Sequence, residues 1–461
     1  MLYDASIPGS DDWWLVRLGE KLGDGLPRMH KLTSYRDGDA LLPIDGAGAG
    51  TRESYMRFVR RARLHVVETI RNARTDRQRV IGFRTGAEGD ENGDLAAWRL
   101  WTLNRMKVQQ RQFFNDTADF GRAYLLTAAS PDGPLWTVRN EWNTVTEQNA
   151  LRPWLTQAGV TYGFDQVYQV ETLTLFGPGY YRRAVRPSRF ATLPQDGTTW
   201  SAGNGWEWRE DRQATGVPDS LLQQSRTVDG FGVYEKHLDT IDRINEITLN
   251  ALTIIVTEAF RQRGIKGKLP QFYPEGHPQA GEEIDYDELF KAGPAALWML
   301  GDAAEIWESA VTDVTPIYNA RRDEIKVLSS LTNTPQDIFD GDSQNQSAMG
   351  AQISREPLYH AVSGMNDQAE VAITQAMATS FLMTGDVQRA SITDLETMWA
   401  KINPATLSEK AEAVSKMGGK PPQRWIDTEV LEMTPAQQRQ AETDRMSDAF
   451  TAALSEATTS E

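Results

Sequence analysis

Asp340 and Asp342 flank Gly341 in the stretch NTPQDIFDGDSQNQSAMGA, which runs from Asn333 to Ala351. Carboxylates this close can hold a divalent cation or divide the acid and base work of a hydrolysis. A calcium loop would also need alternating oxygen ligands, a central glycine and a distal glutamate, and this stretch supplies no such series. A hydrolytic pair can be drawn from distant positions, so spacing alone leaves an acidic hydrolase as an alternative reading. The five histidines, His30, His65, His237, His277 and His360, are scattered without ligand spacing, and a metal site is not expected. With no cysteine there is no thiol nucleophile, disulfide framework or thiolate metal site. The stretch GIKGKLP at 264–270 lacks the spacing of a phosphate loop, and GAGAG at 46–50 reads as a linker. No serine elbow occurs, and no residue emerges as catalytic. No cofactor is implied.

Charge narrows the classes further. The 48 basic and 64 acidic residues leave a net charge of −16, so the chain as a whole repels nucleic acid despite the arginines between 57 and 79. A start of MLYDASIPGSDDWW has no basic and apolar leader pattern, and no run approaches a membrane span, so a soluble chain is expected. At 461 residues, more than one structural unit is expected.

The elements around the acidic stretch are mostly legible by period. Residues 1–50 read as an irregular lead-in. Apolar spacing predicts helices over 51–74 and about 94–118, with a short strand at RVIGF, 79–83. From 121 to 234 the pattern alternates between turn signals, which predicts a mostly antiparallel β-rich unit. A strong helix follows over 235–264, with Leu238, Ile241, Ile244 and Ile247 on one face and Gly264 at its end. An acidic, proline-rich insertion comes next, and another helix covers about 314–331. After the polar stretch a long helix runs from about 347 to 384, with a kink or break predicted near Pro357. A strand is expected within 392–402. Thr406 with Glu409 and Thr434 with Gln437 open two further helices as capping boxes, the first closed by Gly418 and Gly419.

This order of elements resembles the portal proteins of tailed double-stranded-DNA bacteriophages, of the siphophage type. The resemblance covers most of the chain. It is carried by SYRDGDALLPI at 34–44, VIGFRT at 80–85, AAWRLWTLNRMKVQQRQFFNDTADFGRAYLLTAA at 96–129 and HLDTIDRINEITLNALTIIVTEAFRQRGIKG at 237–267. SSLTNTPQDIFDGDSQNQSAMGAQISREPLYHAV at 329–362 and MWAKINPATLSEKAEAVSKM at 398–417 complete it. Two stretches depart from the pattern: TVDGFGVYEKHLD before the first long helix, and SQNQSAMG in place of a Ser-Gly.

The resemblance implies an α+β portal fold and a non-enzymatic role. Residues 51–234, rejoined by 385–403, would form a β-rich wing behind the lead-in. Residues 235–264 and 314–335 would be stem helices and 265–313 a clip insertion between them. Residues 336–349 would be a tunnel loop, 350–384 a long kinked helix bent at Pro357, and 404–461 a helical crown and tail. Asp337, Asp340, Asp342, Gln344, Asn345 and Gln346 would face DNA, and Glu282, Glu283, Asp285, Asp287 and Glu288 would serve the clip interface. About twelve copies would form a ring at one capsid vertex of the virion, assembled in the host cytoplasm. The implied partners are double-stranded DNA passing without sequence specificity, the terminase large subunit, a head-tail adaptor, and the major capsid and scaffolding proteins. No membrane is involved. A loop of amides and carboxylates suits such a channel, because each lysine–phosphate pair would add a counterion-release term and slow the strand. A scaffold or adaptor without a channel is the remaining alternative.

Overall fold

The computed structural model describes residues 5–40, 59–87, 93–187, 205–259, 263–267, 271–273, 275–285, 304–308, 312–340, 348–403, 406–416 and 422–459, with isolated positions between 193 and 203. They form a mixed α+β chain that divides into two compact units. The first comprises Met1–Ala40, His65–Leu238 and Ser329–Glu461, and the second Leu41–Leu64 with Asp239–Leu328.

The N-terminal segment departs from expectation. Instead of an irregular lead-in it holds a 26-residue helix, α1 (Asp11–Arg36). Ser10 caps it by accepting a hydrogen bond from the Trp13 N–H at 3.1 Å, and Asp11 and Asp12 lie in the first turn, where the helix dipole favours anions. Leu15, Leu18, Leu22, Leu26, Met29 and Leu32 recur at three and four and are all buried. Interior glycines and Pro27 hide this spacing from a reading based on helix formers.

α1 lies on a six-stranded antiparallel sheet. Its strands are β4 (Thr144–Gln148), β5 (Thr156–Asp165), β6 (Val170–Gly177), β7 (Tyr180–Pro187) and β8 (Glu207–Trp208) in that order, with β9 (Gln213–Ala214) also paired to β7. Val160, Tyr162, Leu173, Leu175 and Ala184 meet the leucines of α1. The alternate residues of the same strands face the other way.

A second core forms around a three-stranded sheet, ordered β10 (Leu222–Arg226), β2 (Arg122–Ala128), β3 (Leu135–Asn140). The single helix expected over 94–118 is two, α3 (Leu95–Leu103) and α4 (Met106–Phe120). The break falls at Arg105, which is left-handed at φ 53°. Asn104 holds the corner: its side-chain nitrogen donates to the Leu100 and Pro134 carbonyls, and its oxygen accepts from the Trp136 N–H at 2.7 Å. α4 ends at Gly121, where φ of 85° favours glycine.

The long helix is present as α8 (Ala348–Thr384), 37 residues that continue through Pro357 without a break. Proline removes the donor that would have met the Ile353 carbonyl, and Ile353 is exposed, so water can serve that carbonyl. Ala369, Ala372, Ile373, Ala376 and Met377 of α8 pack into the second core beside Trp101 and Trp136. The Trp136 indole donates to Ser380 Oγ at 2.8 Å. The strand expected within 392–402 forms as β13 (Glu396–Trp399), antiparallel to β1 (Val80–Arg84).

The helix expected over 51–74 is also divided. Residues 59–62 are helical, 63–65 are not, and α2 (Val66–Thr75) follows. In the second unit, Val59 and Ala62 pack against Leu249 of α5 (Leu238–Ala259), with the Leu64 N–H donating to Asn245 Oδ1. α5 is described to Ala259; Gly264 does not end it but lies in β11 (Arg263–Gly267), which pairs antiparallel with β12 (Ala304–Glu308). α6 (Thr315–Leu331) returns, tied to α5 by Arg243 and Glu324 at 2.9 Å. Both capping boxes form, at Thr406/Glu409 and Thr434/Gln437, opening α9 (Leu407–Lys416) and α10 (Pro435–Thr459). Gly418 and Gly419 lie outside the described residues.

Candidate channel-facing segment

Between α6 and α8 the chain turns a buried corner. Thr332 and Thr334 are almost fully buried, and Asn333 between them is left-handed at φ 49°. The Thr334 N–H donates to the Ser329 carbonyl at 3.0 Å, and Ser329 Oγ donates to the Thr334 carbonyl at 2.6 Å. The Thr332 hydroxyl donates to Thr334 Oγ1 at 3.1 Å. This reciprocal set satisfies the polar groups that an irregular buried segment would otherwise strand.

Arg74, at the end of α2, holds this corner from outside. It is buried and donates to the carbonyls of Thr332 and Ile70. Burial pushes its guanidinium down to about 10, still charged at neutral pH. A buried cation served by carbonyls is costly, so the site is strongly specified: beyond the Ile70 carbonyl of its own helix, Arg74 relies on the chain turning at Thr332 for an acceptor.

Past the corner, α7 (Gln336–Asp340) forms one short helix rather than open loop. Ile338 packs with Ala73, Leu358, Val362 and Ile402. Asp337 meets Arg355 of α8 at 2.6 Å with its own side chain only 12% exposed, and this hydrogen bond raises the arginine's pKa. Asp337 therefore has a cation 18 residues away that the stretch itself does not contain. Asp340 closes α7, and its side chain lies outside the described residues, as do Asp342, Gln344, Asn345 and Gln346. The arrangement is a polar stretch anchored at its leading end by a buried corner, an apolar side chain and an ion pair.

Of the acidic residues expected at a clip interface, Glu282, Glu283 and Asp285 are exposed, and Asp287 and Glu288 lie outside the described residues. Glu283 bridges antiparallel to Phe272, the Tyr273 N–H donates to the Glu282 carbonyl, and the Tyr273 ring stacks on His277 at 4.3 Å. Glu282, Glu283 and Asp285 thus sit on the exposed surface of a small hairpin.

Sequence reasoning missed the buried charges of the first unit. Arg28 of α1 donates to both Glu235 oxygens at 2.7 and 2.6 Å, to Glu141 at 2.7 Å and to the Phe120 carbonyl at 2.7 Å. Near it, Asp116 and Asp119 lie in the last turns of α4, where the dipole disfavours anions. Burial pushes Asp116 up to about 7 and Asp119 up to about 6, although Arg71 reaches Asp119 at 3.3 Å. The one sequence signal is an Asp-x-x-Asp inside an apolar helical face. Among the described residues no group of three or more His, Asp or Glu side chains is arranged to hold a metal ion, and no helix is long and apolar enough to cross a membrane.

No family model and no curated protein matches the chain. Its structure is similar to solved structures of phage-like particles over most of its length. A chain from the neck of an empty GTA particle computed with C6 symmetry covers 86% of this chain and 97% of its own, at 11% identity and a TM-score of 0.45. A chain from the virion of a native gene transfer agent particle covers 88% and 99%, at 11% identity and a TM-score of 0.41. An HK97-family phage portal protein from Corynebacterium diphtheriae covers 77% and 95%, at 9% identity and a TM-score of 0.31.

Proposed function

We propose that this chain is a portal subunit, about twelve copies of which close into a channel for double-stranded DNA at one vertex of a capsid. The observation that carries the reading is the order of elements on the chain bearing the portal-like phrases. Helix α5, an insertion closed by β11 and β12, helix α6, a buried corner, α7 and the 37-residue α8 follow one another as stem, clip, stem, tunnel loop and wing-spanning helix would. Ile255 and Val256 on α5 and Val327 and Leu331 on α6 are exposed in the single chain, as expected of helices that pack against neighbouring copies. Contacts in a closed ring are heterologous, so each subunit presents two different faces to its neighbours.

In this role the protein contributes geometry rather than bond chemistry. The acidic, amide-rich wall gives DNA no cation to pause on, and about twelve chains carry a combined charge of about −190 around the passage. With Asp337 engaged by Arg355, the carboxylates left to face DNA are Asp340 and Asp342. The clip hairpin is the docking platform for the terminase large subunit and then the head-tail adaptor.

Native mass spectrometry and imaging of purified particles test the reading. A species near twelve times 51.6 kDa with an axial opening is expected; a lone 51.6 kDa chain at high concentration, alone and beside its capsid, refutes it. Replacing Asp340 and Asp342 with lysine keeps the ring and slows DNA passage. Normal packaging by that variant removes the tunnel-loop assignment.

A further inference from the structure

The outward face of the six-stranded sheet is not a plain solvent face. Strand register aligns Thr161, Thr174 and Arg183 as one rung across β5, β6 and β7, with Phe176 and Tyr181 on the next rung of the same face. The three-stranded sheet covers part of this face through Leu222 and Leu126, with Leu221 just before β10, and Met383 closes it from α8. Between them lies a cavity of about 660 Å³, within the usual range of small-ligand sites. Arg139 of β3 and Arg183 of β7 both line it.

Neither arginine has a carboxylate partner among the described residues. The Nε of Arg139 is buried without any hydrogen-bond acceptor, and burial alone holds its guanidinium below the ordinary value. The acid lining the cavity, Asp165, is already engaged by Arg209 at 3.6 Å and by the backbone N–H groups of Val167 and Tyr168. In a chain with 16 more acids than bases, two guanidiniums set in one cavity without a carboxylate partner need an explanation. A half-buried cation with no counter-charge is costly, and an incoming anion removes that cost.

We propose that this cavity binds a small phosphate monoester carried on an aromatic body, of the nucleoside monophosphate class. Two planar guanidinium forks can each engage two oxygens, which suits a three-oxygen phosphate better than a two-oxygen carboxylate. The hydroxyls of Thr161 and Thr174 add donors beside Arg183, and the Phe176–Tyr181 pair, with ring centroids 6.2 Å apart, offers an apolar wall for a base. This site is separate from the channel-facing segment and does not depend on the portal reading.

Calorimetry on the full-length protein tests it with adenosine monophosphate, inorganic phosphate and adenosine. The monophosphate should bind at least about tenfold more tightly than either fragment, because each fragment meets only one half of the site. Arg139→Gln and Arg183→Gln should each weaken it at least about tenfold, and the unliganded Arg139→Gln protein should melt no lower than wild type, having lost no partner. Thr174→Val keeps the strand and its shape, so a severalfold loss there carries the test if an arginine variant misfolds. Absence of monophosphate binding at millimolar concentration overturns the proposal. So does binding unchanged in both arginine variants. If Arg139→Gln blocks self-assembly while the wild type binds no monophosphate, the cavity belongs to a neighbouring copy and the proposal fails.

Discussion

Asp116 gives the sharpest test of the packing. Its carboxylate is buried near the C-terminal end of α4, one oxygen has no hydrogen-bond partner, and Asp119 adds a second negative charge one turn on. Arg36, Asn140 and Gln112 oppose these effects, but burial wins and the group is pushed up to about 7. The sign follows from proton counting. Between pH 4 and 7 the folded chain holds a proton at Asp116 that the unfolded chain has released, so stability falls as pH rises through that window. The penalty is absent below the unfolded pKa and complete above about pH 7. A rise from 3.8 to about 7 sets a ceiling of about 4 kcal/mol on it.

Asp116→Asn removes the charge and keeps the shape. Urea unfolding followed by tryptophan fluorescence reads mainly the first unit, which holds most of the 14 tryptophans. The advantage of the variant over wild type should be about 1–3 kcal/mol larger at pH 8 than at pH 5, since part of the penalty is already present at pH 5. Asp119→Asn should gain less, because it also gives up the ion pair with Arg71 at 3.3 Å and leaves that guanidinium only the exposed Glu68 as a carboxylate partner. An identical variant–wild-type difference at the two pH values would refute the argument that burial holds Asp116 protonated.

Two further outcomes concern the polar stretch and the helix that follows it. Asp337→Asn breaks the tie between α7 and α8 and should cost about 0.5–1 kcal/mol, shrinking in high salt because Arg355 is partly exposed. Equal losses at low and molar salt would show that the ion pair is not the cause. Pro357→Ala restores an N–H to the Ile353 carbonyl and should slow amide exchange around 353–358; unchanged exchange would mean that proline does not loosen α8 there.

What could be read from the sequence follows the range of the interactions involved. α5, α6, α8 and the two capping boxes announce themselves because their signals lie within one or two turns. The β13 strand could be expected, but its pairing with β1 joins residues more than 300 positions apart and needs the fold. α1 was obscured for a different reason. Its glycines and Pro27 are poor helix formers, yet its leucine stripe buries enough apolar surface against β5 and β6 to override local preference. The split between α3 and α4 turns on Asn104, whose side chain answers groups on β3 that local propensity does not see.

The polar stretch shows the same division. Its composition is visible, and from composition alone all three aspartates look equivalent. Arg355, the partner that sets Asp337 apart, lies 18 residues away on α8, and Arg74, which holds the corner at Thr332, is 258 residues away. Charge content can therefore say that a segment is acidic, while only long-range contacts say which of its acids are still free to face a ligand. Asp337 is thereby set apart from Asp340 and Asp342, whose side chains lie outside the described residues. A lysine at 337 would first break an ion pair, whereas lysines at 340 and 342 would test the proposed channel wall.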